Sequence, residues 1–332
     1  MSDKLVSVII PTYNGEKRIA HTLESLAAQT YSSIEIIVVD DVSTDDTVNT
    51  ARTVLENSGR QFRIIRRTRN GRQSASRNTG LAAAKGEYVI FFDHDDIADP
   101  EFVSSLYAEA EATNADIVLC GIKHSRGNEP PYFEESSALE DGTLSPEAYL
   151  EAWVRGKIRL WSVWNFIFRK SFLDEHGLRF PEKCRLGEDT EFVLKAIACA
   201  SRMSGISAKL YNYIHHPEQS SVVYTDMFGH VLLSRLRAAR FVLRHVHSRK
   251  VRSCILSWYI PDATVKQLTI YAENGDREHY DRMAKTLKHR KIRRLLLSSV
   301  KYLLTKPELF IKSVMLIYAP NLYYRLRKEN NS

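Results

Sequence analysis

Short β-branched apolar runs recur through the first third of the chain: Leu5 to Ile10 (LVSVII), Ile34 to Val39 (IEIIVV) and Glu87 to Phe92 (EYVIFF). Runs of this length without polar alternation belong to strands covered on both faces. Helical patterns lie between them. Glu16 to Gln29 places Ile19, Leu23, Leu26 and Ala27 on one face, and Thr44-Asp45-Asp46-Thr47 supplies N-cap chemistry for a second helix. Gln61 to Arg66 reads as a strand, Ser74 to Ala84 and Pro100 to Thr113 as helices, and Asp116 to Gly121 as another strand. Alternating β and α units imply a mostly parallel, doubly wound α/β sheet with right-handed crossovers and helices on both faces.

After residue 121 the pattern loosens. Lys123 to Gly142 is polar, contains Pro130-Pro131 and reads as a loop over the sheet. Ser145 to Tyr224 mixes helical stretches with aromatic clusters, among them Trp161, Trp164 and Phe166, which suit a core or the wall of an acceptor-sugar site. Beyond Thr225 the chain turns helical and basic. Ala284 to Thr305 sets Leu287, Leu295, Leu296, Val300 and Leu303 against lysines and arginines, the pattern of an interfacial amphipathic helix. Leu309 to Ala319 is apolar but short of the roughly 20 residues that span a bilayer. The expected organisation is a nucleotide-binding α/β half (1–121), an acceptor-binding and catalytic half of the same domain (122–224), and a helical extension (225–332).

Composition narrows the class. A hydrophobic share of 44% in 332 residues excludes a disordered chain. The four cysteines show no CxxC pair, and Met1 to Val8 lack a signal-peptide apolar core, so a reducing, cytoplasmic setting is expected. The net charge of +7 is unevenly spread, with 22 Lys and Arg against eight Asp and Glu after Tyr224, and an excess of acids before it. A basic tail of this kind points to an anionic surface. Peripheral contact of 284–328 with the inner face of the membrane is the expected use, homo-oligomerisation through the leucine face is the competing one, and no nucleic acid is expected.

Ligands of open α/β sheets bind beyond the carboxyl ends of the strands. There the sequence places Pro11-Thr12-Tyr13-Asn14, Asp40-Asp41, Asn70-Gly71 with Arg77, and Asp93-His94-Asp95-Asp96. Three carboxylates within four positions repel one another unless a cation relieves them, and hard ions such as Mn²⁺ or Mg²⁺ take such oxygens together with substrate phosphates. A solvated turn before the helix near Pro100 is the plainer alternative. Asp41 suits the N3 hydrogen of a uracil and Tyr13 the face of its ring, although Asp40 and Asp41 also suit capping. Arg77 suits phosphate or base oxygens, or the surface. Glu188-Asp189 reads as an acidic helix start or as a catalytic pair, and His215-His216 as surface residues or a metal ligand.

The segments VSVIIPTYNGE, IIVVDDVSTDDT, NGRQSASRNTGLAAAKGEYVIFFDHDD and LGEDTEF resemble, in this order and spacing, the family-two inverting glycosyltransferases of the GT-A fold, over roughly Val6 to Tyr224. The resemblance implies that Pro11 and Tyr13 belong to a uridine-binding loop, that Asp41 reads uracil, and that Asn70 and Arg77 contact the donor. It makes Asp93-His94-Asp95 a DXD motif with Asp95 on the metal and Asp93 near ribose, and Glu188-Asp189 an ED motif whose aspartate is the base. His216 becomes an additional metal ligand. The implied activity is metal-dependent transfer from a UDP-sugar to a glycan or lipid-linked saccharide in bacterial cell-surface polysaccharide or lipopolysaccharide synthesis. Val42, where the family carries a small residue, and the bulky His94 depart from the pattern. A non-catalytic nucleotide-sugar-binding protein of the same fold is the alternative. A nicotinamide-dependent oxidoreductase needs a glycine-rich turn after the first strand, which Pro11 to Asn14 do not supply.

Overall fold

The structure, a computed structural model, describes residues 3–127, 129–135, 142–154, 162–182, 184, 186–216, 228–302, 304 and 306–329. The chain divides into two compact units, Met1–Thr225 and Asp226–Ser332.

The first unit is built on one twisted sheet. Strands β1 (Val6–Thr12) and β2 (Ile34–Asp40) are buried at every residue, as their unbroken apolar runs require. With β3 (Gln61–Arg66) and β4 (Tyr88–Phe91) they form the parallel block β3-β2-β1-β4. Helices α1 (Ile19–Ala27), α2 (Thr47–Glu56) and α3 (Arg72–Ala83) connect these strands. The strand order turns back at β1, whose neighbours are β2 and β4, so the loops after these strands meet at one rim. Close helix packing is set by Gly80, where an added Cβ would lie 2.3 Å from Ile9 Cγ2.

The sheet continues beyond the parallel block. A two-residue strand β5 (Ile97–Ala98) and helix α4 (Phe102–Thr113) precede β6 (Ile117–Arg126). The stretch expected as a loop after 122 instead prolongs β6 and adds β7 (Phe133–Glu135) against it, followed by β8 (Gly142–Leu144). Within 145–224, expected to be largely helical, helices α5 (Pro146–Val154), α6 (Lys170–Glu175) and α7 (Glu188–Cys199) alternate with two strands that the sequence pattern did not show. β9 (Phe166–Arg169) slots antiparallel between β4 and β6, and β10 (Met203–His215) runs parallel to β6. Register shifts between Ile206 and Lys209 and between Lys209 and Tyr211 break the two-residue period of β10, which hides it from a pattern search. Trp164 is buried, stacked on Tyr211 at 4.2 Å and Tyr213 at 5.4 Å, so it is a core residue. Trp161 lies outside the described residues.

The second unit is helical among the described residues. It comprises α8 (Phe228–His245), α9 (Arg249–Cys254), a π-helical turn (Ile255–Tyr259), α10 (Ile260–Glu273), α11 (Arg277–Thr286), α12 (Arg290–Leu297), a 3₁₀ turn (Ser298–Tyr302), α13 (Pro307–Tyr318) and α14 (Pro320–Glu329). The single amphipathic helix expected over 284–305 is therefore bent between α11 and α12. The bend turns Leu287 and Leu296 into the unit's own core beside Leu268, Leu316 and Tyr323, where they bury more apolar surface than on a free face. Among the described residues no helix is long and apolar enough to cross a membrane.

Candidate active site

The first layer of the site is a turn organised by two aspartates. Asp40 accepts from the Ser43 amide at 3.2 Å and pairs with Arg66 at 3.3 Å, which closes the turn after β2. Val42 inside that turn has φ 69°, a left-handed conformation that a β-branched residue rarely adopts. Asp41 reaches across to the start of α3. Its carboxylate accepts from the amides of Gly71 (3.0 Å) and Arg72 (2.6 Å) and pairs with the Arg67 guanidinium. An anion at a helix N-terminus answers both the free amides and the helix dipole. Asn70 donates to the Asp41 carbonyl at 3.2 Å, so the loop 67–72 is tied to this one residue.

The acidic loop after β4 divides into distinct roles. Asp93, Asp95 and Asp96 offer oxygens within 4.8 Å of one another. Asp96 is fully buried and accepts from the Tyr211 hydroxyl and from the Ile214 amide at 2.8 Å. Burial, with Asp95 and Asp93 nearby, raises its carboxyl well above the usual range, so it rivets β10 to the loop and is no free ligand. Asp95 behaves oppositely. Burial works against its ionisation, but the His216 ring at 2.8 Å and His94 outweigh that and hold its carboxyl low. The other ring nitrogen of His216, Nδ1, is buried without a hydrogen-bond partner. His94 fits between these acids because Gly15 lacks a side chain; an added Cβ would sit 2.5 Å from the imidazole.

Beneath the loop lies Arg77, with no exposed side-chain surface. It donates to Asp93 at 2.7 Å and to Asp189, approaches Glu188 at 3.9 Å, and stands 5.2 Å over the Phe180 ring. Burial opposes its charge, but the surrounding carboxylates more than restore it. Ser162 donates to the second oxygen of Asp189 at 2.7 Å. One cation thus serves three carboxylates. Burial, then the neighbouring Asp189, pushes Glu188 up to about 7, and burial likewise raises Asp93 despite Arg77.

His94 and Glu188 border a hollow of about 410 Å³, which Asp93, Asp95, Asp189 and His216 do not line. Its walls bring together Pro11, Tyr13, Asp41, Asn70, His94 and Glu188 from the sequence-predicted set, along with Arg72, Ser74 and Leu186. Tyr13 is 48% exposed, which leaves its ring face open. Arg77 is placed behind the wall, holding Asp93 to Asp189, and not on it. Sequence reading did not find Arg67, Ser162 or Phe180, which are scattered along the chain and gain meaning only from the charged groups they meet. Asp93 and Asp95, whose oxygens lie together, with the His216 imidazole hydrogen-bonded to Asp95, are groups that suit a divalent cation.

A parallel block with its strand-order reversal at β1, a carboxylate-rich rim and an exposed tyrosine beside the hollow define an α/β fold of the ligand-binding, doubly wound class. The glycosyl transferase family 2 model matches residues 7–177, and the chain belongs to that family. It is 34% identical to the uncharacterized glycosyltransferase EpsJ of Bacillus subtilis (strain 168) over 64% of this chain and 62% of that one. It is 32% identical to the poly(ribitol-phosphate) beta-N-acetylglucosaminyltransferase TarS of Staphylococcus aureus (strain Mu50 / ATCC 700699) over 62% of this chain and 35% of that one. These alignments span less than two thirds of either relative. Among solved structures, S. aureus TarS 1-349 in complex with UDP-GlcNAc superposes with TM-score 0.75 at 24% identity, covering 98% of this chain and 91% of that one. The mannosyltransferase PcManGT of Pyrobaculum calidifontis, in complex with GDP-Man and Mn²⁺, gives 0.57 at 16% identity, covering 99% and 88%. The fold is GT-A, with a helical C-terminal region.

Proposed function

We propose that the chain is a divalent-metal-dependent, inverting glycosyltransferase that moves a hexosyl or N-acetylhexosaminyl group from a UDP-sugar to a hydroxyl of a glycan or lipid-linked saccharide in cell-surface polysaccharide synthesis. The observation that carries this reading is the junction of two acidic elements on one buried arginine: Arg77 ties Asp93 to Asp189, the sequence neighbours of His94 and Glu188 on the wall of the hollow. TarS, with its bound UDP-GlcNAc, supports a uridine donor. Tyr13 stacks on the base and Asp41, already fixed by α3, accepts from it. Asp95 and His216 would hold the cation, and a divalent ion there would supply Lewis-acid charge to the diphosphate. Asp189 receives the proton of the attacking hydroxyl, oriented for it by Arg77 and Ser162; a carboxylate has about four lone-pair directions, and those two donors occupy two. Single displacement on the face opposite the leaving group gives inversion. The chain works at the inner face of the membrane, held peripherally by its basic helical unit.

The test is turnover and donor binding with Mn²⁺ and a panel of UDP-sugars. Wild type transfers or hydrolyses at least one. Asp95→Ala loses both metal-assisted binding and turnover, whereas Asp189→Ala loses turnover, by about 10² to 10⁴, and keeps binding. A folded protein inert toward every nucleotide sugar overturns the reading, and a reversed pattern between the two variants overturns the roles.

A further inference from the structure

The bend that buries Leu287 and Leu296 leaves the helical unit with a different apolar surface. Leu304 is 98% exposed just before α13, Ile311 is 53% exposed on it, and Leu322 and Leu326, one turn apart on α14, are 52% and 43% exposed. Isolated exposed apolar residues are ordinary, but Ile311 and Leu326 border one of two hollows that meet at α13. One, about 600 Å³, lies between α8, α10 and the first turn of α13; the other, about 510 Å³, lies between α13 and α14, with Ile311 and Leu326 on its wall. Both are bounded by Glu308 and Lys312, so the first half of α13 is the ridge between them.

The charge around this ridge is one-sided. Arg235, Lys266, Lys306, Lys312 and Arg327 border the hollows, against Asp262 and Glu308 alone. Asp262 is shared by Arg235 at 3.1 Å and Lys266 at 3.0 Å, and Glu308 pairs with Lys312 at 3.1 Å. Lys306 stands over the Trp258 ring at 4.2 Å. Cations above apolar walls match a phosphate above a hydrocarbon chain.

We propose that this ridge and its two hollows are a seat for an anionic phospholipid bilayer: Lys306, Lys312 and Arg327 meet headgroup phosphates while Leu304 and Ile311 enter the acyl region. The proposal rests on the membrane-associated reading above and moves the contact from the α11–α12 leucines to α13 and its approach.

The full chain is floated with phosphatidylcholine vesicles, with and without phosphatidylglycerol. Wild type partitions onto the anionic vesicles only. Lys306→Gln with Lys312→Gln lowers the partition coefficient roughly 25-fold, at about fivefold per cation, and Leu304→Ser with Ile311→Ser lowers it by about tenfold or more. Arg290→Gln with Lys291→Gln on α12 changes it less than about threefold, since neither residue borders either hollow. All four residues changed on the ridge are at least partly exposed, and unchanged far-ultraviolet dichroism and melting verify folding. Equal losses from the two cation pairs overturn the seat and leave general electrostatic attachment. Wild type that floats with neither vesicle removes the membrane reading itself, while the transfer assay judges catalysis separately. A dimer in size-exclusion chromatography that Leu304→Ser with Ile311→Ser dissolves makes the face a self-association surface and overturns the proposal.

Discussion

Val42 shows how a single residue carries the cost of building the site. Its left-handed backbone lets Asp40 close the turn and Asp41 face α3, at a penalty of about 1–2 kcal/mol for a residue with a Cβ. Val42→Gly should therefore raise stability by about 1 kcal/mol in denaturant titration, and a loss would show that Val42 packing outweighs its strain. The departure at this position was legible in the sequence; its conformation was not, because strain depends on what the neighbouring aspartates grip. The acids themselves were all visible as candidates. What their spacing did not reveal was the division of labour within the acidic loop after β4, where Asp96 binds Tyr211 and Ile214, partners more than a hundred positions away. Nor did it reveal that Arg77, readable as a donor contact, is a buried link between two acids.

At the level of elements, the parallel block was readable because doubly covered strands need uninterrupted apolar runs, and β1, β2 and β4 have them. β10 was not, since its register shifts put polar and apolar residues out of phase with a strand. The distance between α3 and β1 was hidden as well. Gly80 permits an approach that no other residue allows, and Ile9, fully buried, has no room to yield. Gly80→Ala should cost about 1–3 kcal/mol by overpacking, measured as a lower denaturant midpoint, with part of the loss recovered in an Ile9→Ala background. An unchanged midpoint would mean that the helix can slide outward, and the rim it supports would then shift with it. The bend between α11 and α12 teaches the reverse lesson. A basic helix with a leucine face satisfies the pattern of a membrane-surface helix, yet a nearby core can claim the same leucines, and only the packed structure decides between the two.

For the molecule as a whole, the acidic rim ties stability to pH. Glu188, Asp93 and Asp96 all have carboxyls raised above their ordinary range. The folded state thus holds protons that the unfolded chain has released, and the stability they lend at low pH disappears as pH rises, for Glu188 between about 4.5 and about 7. Groups with lowered carboxyls, Asp95 and Glu35 among them, act below their ordinary values and do not cancel this slope. The metal-free protein should melt lower at pH 8 than at pH 5.5, Glu188→Gln should lessen the difference, and Mg²⁺ should raise the melting temperature more at pH 8. A cation effect of equal size at both values would place the ion away from these acids. The rivet at Asp96 offers a way to watch this rim directly. The main-chain hydrogen of Ile214 ends on that carboxylate, so its rate of exchange with heavy water gauges whether the loop stays seated, one amide reporting on the centre without any sugar, nucleotide or assay.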